Sequence, residues 1–229
     1  MRKLTIISVA ACAISAGAAA DMTEIALNAY SVSVADFDGN TVNLNVVDMY
    51  MLSDDESDVL LNIYNMNLSE AAKITYYQSI TGAGWAPNNL GGPFDTEATR
   101  IGDSFVSIGG VDFNDPQQTP GVGAGTALDP NFGGSNADFP SELAGWFNSN
   151  PPSQNGGVGQ TPLGLGVFVG RFSSTQALDA SNFVGTTLEA TWNLGLGTPG
   201  EQAGFTIIPA PGSMALLALA GVVGTRRRR

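Results

Sequence analysis

Glu24-Ile25-Ala26-Leu27-Asn28-Ala29-Tyr30-Ser31-Val32-Ser33-Val34-Ala35-Asp36-Phe37-Asp38-Gly39-Asn40-Thr41-Val42-Asn43-Leu44-Asn45-Val46-Val47-Asp48-Met49-Tyr50-Met51 is the stretch that decides the fold. Ile25 and Leu27, then Val32 and Val34, alternate with polar residues. Successive side chains of an extended chain point to opposite faces, so this spacing predicts a strand over Glu24–Ala35. Asp36-Phe37-Asp38-Gly39-Asn40 reads as a turn, because Gly39 and Asn40 tolerate positive φ. Val42, Leu44 and Val46, then Val47, Met49 and Met51, predict a second strand whose phase slips at Val46-Val47, as a β-bulge would cause. Together they read as an antiparallel hairpin.

The same signals recur downstream. After an acidic loop, Ser53–Asp58, the segment Val59–Met66 is strongly β-prone, and Lys73–Ile80 is rich in Tyr and Thr. Further strands are expected at Ser104–Ile108, Val167–Phe172 and Thr186–Leu194, the last alternating Leu188, Ala190, Trp192 and Leu194. Helix is expected only as short pieces at Ser69–Ala72 and Ser141–Asn148. Glycine and proline concentrate from Gly82 to Gly170, and Asn114–Asn155 reads as mostly loop. Seven to nine strands at this spacing predict one all-β domain over residues 21–207: a single antiparallel β-sandwich, jelly-roll-like or immunoglobulin-like, with long Gly/Pro-rich loops.

Charge separates this domain from the chain ends. Six of the nine basic residues are Arg2, Lys3 and Arg226–Arg229, which leaves Lys73, Arg100 and Arg171 between them. All 21 acids lie between Asp21 and Glu201, so the middle carries three cations against 21 carboxylates, a charge of −18. A phosphate backbone needs a basic surface, which excludes nucleic acid as a partner.

Chemistry is constrained by what the sequence omits. It contains no histidine, which removes the commonest general base and the usual zinc ligand. The one cysteine, Cys12, falls in the N-terminal apolar run, so the domain itself has no thiol. A carboxylate pair for glycoside hydrolysis can be composed from Asp103 or Asp112 with Glu142 or Glu189, but no spacing supports it. Calcium, which favours hard oxygen ligands, has two candidate sites: the turn Asp36, Asp38, Asn40, and the loop Asp54, Asp55, Asp58. Neither completes an EF-hand, and each reads equally as an ordinary turn or a solvated acidic loop. Trp85 and Trp146 lie among glycines and prolines and are candidates for stacking on a glycan; the alternative for both, and the reading for Trp192, is core.

The two ends read as targeting signals. Met1-Arg2-Lys3 is a basic start, Leu4–Ile14 an apolar run, and Ala16–Ala20 a small-residue exit, which together predict a secretory signal peptide over residues 1–20, removed by signal peptidase. At the other end, Pro209-Ala210-Pro211 is followed by the apolar run Met214–Thr225 and by Arg226-Arg227-Arg228-Arg229. Twelve helical residues span about 18 Å, short of the roughly 20 residues of a full crossing, so the run suits a transient membrane stop held by arginines that stay cytoplasmic.

This order of proline motif, apolar helix and arginine cluster over residues 208–229 resembles the PEP-CTERM sorting signal, with Ala210 in place of the usual central glutamate. The resemblance implies recognition by an exosortase-like transpeptidase or protease in the envelope of a Gram-negative-type bacterium, and a final location at the cell surface or in extracellular matrix or biofilm. It concerns the C-terminal signal alone. The expectation for the whole chain is therefore an exported, non-enzymatic structural or adhesive protein. The alternatives are a carbohydrate-binding module with calcium, meeting extracellular polysaccharide, and a carboxylate-pair glycosidase.

Overall fold

Period-two alternation at the N-terminus of the domain produces the expected hairpin, β1 (Met22–Ala35) paired antiparallel with β2 (Thr41–Ser53) from Ala35↔Thr41 to Met22↔Ser53. The computed structural model describes residues 21–80, 84–87, 96–110, 125–133 and 138–209. Residues 1–20, Ala210, Pro211, the apolar run Met214–Thr225 and Arg226–Arg229 lie outside the described residues, as does Asp112.

The phase slip at Val46-Val47 has a different cause from the one its sequence suggests. Pairing with β1 continues unbroken through both residues. β2 lies between β1 and β8 (Gly164–Ser174), and both of its faces are covered, so Val46 through Met51 are all buried and strict alternation is not needed. Val47, Met49 and Met51 enter the main core, while Val46 packs with Val34, Leu44 and Ala98 on the opposite face. The irregularity in β2 sits at Met49–Tyr50, on its pairing with β8.

The described residues form an all-β fold of two antiparallel sheets. In the first, the order is β1-β2-β8, with β4 (Phe105–Val106) and β7 (Gly159–Thr161) both pairing with β8. In the second, the order is β10 (Gly200–Thr206), β9 (Thr187–Asn193), β3 (Val59–Asn67), β6 (Ala144–Asn148) and β5 (Thr126–Leu128). The main core draws on both sheets: Met49, Val169 and Phe172 from the first, and Ile63, Trp146 and Ala190 from the second. The larger of these, Met49, Val169, Phe172 and Ile63, each contribute roughly 1.5–3 kcal/mol when fully removed from water.

Several local expectations change. Ser141–Asn148 is not helical: Leu143 enters with φ 55° and residues from Ala144 on pair with β3 and β5, so tertiary pairing overrides local preference. Lys73–Ile80 follows a short 3₁₀ turn, Glu70–Ala72, and runs extended without becoming a strand. It is tied at Tyr77, whose N–H donates to Ser173 O at 2.7 Å and whose carbonyl accepts from Ser104 N at 3.1 Å. The strand expected around Ser104–Ile108 contracts to Phe105–Val106. β5 and β7 are three-residue strands too short for alternation to show, and β10 alternates only at Ala203 and Phe205 behind the polar start Gly200-Glu201-Gln202, so the sequence does not predict them.

Candidate functional site

At the hairpin turn both Asp36 oxygens are engaged by the turn itself. Oδ1 accepts from Asn40 N at 2.7 Å and Oδ2 from Asn40 Nδ2 at 3.2 Å, while Gly39 takes φ 80°. This is an Asx-type closure that serves the hairpin. Asp38 is exposed beside it.

The acidic loop is tied locally as well. Asp54 Oδ1 accepts from the Asp21 backbone at 3.0 Å, Asp55 Oδ1 from Ser57 N at 2.7 Å, and Asp58 Oδ2 from Ser53 Oγ at 2.6 Å. Asp58 is buried and its Oδ1 has no partner among the described residues; burial pushes its carboxyl above the ordinary range, with Ser53 opposing and Asp55, Asp54 and Asp21 adding to the rise. Among the described residues no three Asp, Glu, Cys or His side chains gather as a metal would require.

Trp85 and Trp146 are both core residues, 0 % and 1 % exposed, so neither offers a face to a sugar. Trp85 meets Phe139 and Tyr76 edge-on, at 4.7 and 5.4 Å between ring centroids. Trp146 packs against Phe132 and Phe139 and donates its Nε1–H to Ser107 O at 3.1 Å. Trp192 is buried with them. Of the carboxylates considered as a hydrolytic pair, the described ones lie on different parts of the fold. Asp103 is buried beside Ser79 and Ser104, near the end of β8 in the first sheet, whereas Glu189 lies on the open face of the second and Glu142 is exposed.

The strongest electrostatic feature is structural. Arg171 on β8 faces Asp48 on β2, with Nε–Oδ1 at 2.7 Å and Nη2–Oδ2 at 3.0 Å, and its Nη1 donates to the carbonyls of Arg100 and Ile101 at 3.2 Å each. Tyr30 donates its hydroxyl to Asp48 Oδ2 at 3.0 Å, and the guanidinium lies 5.8 Å from the Phe105 ring centre. Burial alone would lower the Arg171 pKa, but Asp48 beside it more than offsets this and holds it raised. The network pins the turn Ala98–Gly102 onto the first sheet.

On the second sheet, β3, β9 and β10 frame an open cleft of about 390 Å³. It is lined by Asn65, Asn67, Leu143, Thr187, Glu189, Thr206 and the chain around Leu188 and Gly204–Phe205. Two strained residues border it: Asn65 at φ 51° and Leu143 at φ 55°. Asn65 sits in a bulge that shifts the register of β3 against both neighbours, and its Nδ2 donates to Glu189 Oε1 at 3.1 Å. Leu143 is held in its conformation from both sides, donating its N–H to Asn67 Oδ1 at 3.1 Å and accepting at its carbonyl from Asn131 Nδ2 at 2.7 Å. Its side chain is left 54 % exposed. Gly204 pairs with Glu189, and a Cβ there would meet nothing nearer than Glu189 Cγ at 3.9 Å, so bare backbone floors the cleft. Sequence reasoning missed this site; its signals were an asparagine inside a β-prone run and a glycine with no turn to make.

No family model, curated protein or solved structure matches the chain. Among the described residues no helix is long and apolar enough to cross a membrane.

Proposed function

We propose that the chain is an exported, non-enzymatic protein of the bacterial cell envelope or extracellular matrix, with residues 21–207 as a β-sandwich cargo, jelly-roll-like or immunoglobulin-like. The single observation that carries this reading is the order of segments: a secretory signal over 1–20, an acidic domain of charge −18 from three cations against 21 acids, then Pro209-Ala210-Pro211, an apolar run and four arginines. The sandwich is supported by the core common to both sheets. Processing at the proline motif is supported by where the chain leaves the fold. Ile207 is buried and its N–H donates to Thr186 O at 2.9 Å, while Ile208 and Pro209 are exposed, so the described chain leaves the core just before the motif. A structural or adhesive role is supported by the absence of histidine from the sequence and by the separation of Asp103 from Glu189.

Mass spectrometry of envelope and secreted fractions tests the reading. The mature protein is expected to begin near Asp21 and to end near Pro211, and Pro209→Ala with Pro211→Ala is expected to leave an uncut, membrane-held precursor. Recovery of mature wild-type protein with an intact peptide ending at Arg229 would overturn it.

A further inference from the structure

We propose that the cleft floored by Gly204, between β3, β9, β10 and the Leu143 turn, binds a neutral polysaccharide chain. The inference rests on the extracellular reading above and gives the adhesive role a ligand. Three separate observations point to an occupant. A glycine within a strand weakens it and marks a place where something approaches the backbone closely. At Gly204 none of the described residues takes that space, and its φ lies outside the positive region that would otherwise require glycine. Strained residues of the kind found at ligand clamps, Asn65 and Leu143, flank the same opening. Asn65 is held by its own side chain on Glu189 and by Asn67 Nδ2 donating to its carbonyl at 3.0 Å, and Leu143 by Asn67 and Asn131, so the strain is part of a built surface.

The lining chemistry selects the class of ligand. Glu189 accepts hydrogen bonds, Asn65 and Asn67 offer amides, and Thr187 and Thr206 offer hydroxyls that both donate and accept. The exposed Leu143 side chain supplies an apolar wall. Closely spaced hydroxyls on a ring with one C–H face match this set, as a sugar presents them. Tyr64, paired with Glu189 in register and half-buried, extends the same face beyond the cleft. Among the described residues no lysine or arginine lines the opening, and Glu189 is part of its lining in a domain of strongly negative charge, so an anionic polymer is repelled. The opening lies beside the edge strand β10 and is not enclosed, which favours a polymer over a free monosaccharide.

Affinity electrophoresis of the full chain in gels containing a neutral β-glucan, mannan or α-glucan, with alginate as the anionic comparison, tests this directly. Retardation by at least one neutral polymer and not by alginate is expected. Gly204→Phe should fill the cleft and weaken retention at least tenfold with a nearly unchanged melting temperature, since a Cβ there meets only ordinary van der Waals contacts among the described residues. Glu189→Gln, which keeps shape and removes charge, should weaken the same polymer several-fold and provides a second reading should the first variant misfold. Retention by no neutral polymer, retention by alginate alone, or full retention by both variants overturns the proposal. Self-association relieved by Gly204→Phe, with no polymer retained, would assign the groove to a second copy and equally overturn it. None of these outcomes touches the export reading, which is decided by the C-terminal peptide.

Discussion

Arg171 and Asp48 face each other across β8 and β2 as a two-point ion pair, Nε–Oδ1 at 2.7 Å and Nη2–Oδ2 at 3.0 Å, on the side of the sheet turned away from the main core. The arginine fork suits this geometry as a lysine would not, because the remaining Nη1 also reaches two carbonyls of the covering turn. One of the three basic residues of the acidic domain is thus committed to its interior.

Removing either partner strands the other as a buried charge. Arg171→Met is expected to lower stability by roughly 3–5 kcal/mol, whereas Arg171→Met combined with Asp48→Leu should cost far less, because the desolvation penalty disappears with the pair. Urea midpoints of the two single variants and the double variant check this. Additive losses would show that the two residues do not act as a unit.

The aromatic core sets a second expectation. Trp85→Ala and Trp146→Ala each leave a large cavity among Phe139, Phe172 and their neighbours and should cost roughly 3–5 kcal/mol. Phe147→Ala, at an exposed position on β6, should change stability by less than about 1 kcal/mol. Equal, small effects at all three positions in chemical denaturation would contradict the packing described.

How much of this was legible depended on how strongly local pattern constrained each segment. The β1–β2 hairpin and its turn could be read because alternation and Gly39 agree, and β9 because Leu188, Ala190 and Trp192 all enter one core. β6 and β10 could not, since one is set by pairing on both sides and the other is an edge strand carrying Gly200, Glu201 and Gly204. The positions of Asp36 and Asp55 were visible, but not that the hairpin and the loop occupy their oxygens with Asn40 and Ser57. For Trp85 and Trp146 the sequence leaves both a glycan-stacking and a core role open, because glycine and proline surround them; burial depends on contacts with Tyr76, Phe132 and Phe139, which no local window contains. The cleft escaped for the same reason, as Asn65, Leu143 and Gly204 meet only when β3, β6 and β10 assemble.

The turn gives a local test. Gly39 has φ 80° with open space around its Cβ position, so Gly39→Ala adds backbone strain without a clash and should cost about 1–2 kcal/mol. Asp36→Ala removes two bonds to Asn40 and should cost about 1 kcal/mol. Thermal melts showing Gly39→Ala to be neutral would mean that the turn is not held in this conformation.

Asp103 makes stability depend on pH in a direction that can be worked out. Asp103 is 1 % exposed; Oδ1 accepts from Ser79 N at 2.7 Å and Oδ2 has no partner among the described residues. Burial pushes its pKa from 3.8 up to about 7, against the opposing pull of hydrogen bonds from Ser79 and Ser104 and of the Arg171 charge. The folded chain therefore holds a proton that the unfolded chain has released between those two values. Stability from this group is full below about pH 4, falls as pH rises, and levels off above about pH 7, a span of roughly 4 kcal/mol at 1.36 kcal/mol per unit. Asp103→Asn keeps an acceptor for Ser79 and cannot ionise. It should match the wild type near pH 4 and exceed it progressively up to pH 8, where it no longer carries a buried anion. Repulsion among the surface acids is common to both proteins and cancels in the difference, as does the raised carboxyl of Asp58. Urea midpoints of both proteins at intervals from pH 4 to 8 measure that difference, and parallel curves across the range would mean that Asp103 is ionised throughout and that its burial is compensated by groups other than those identified.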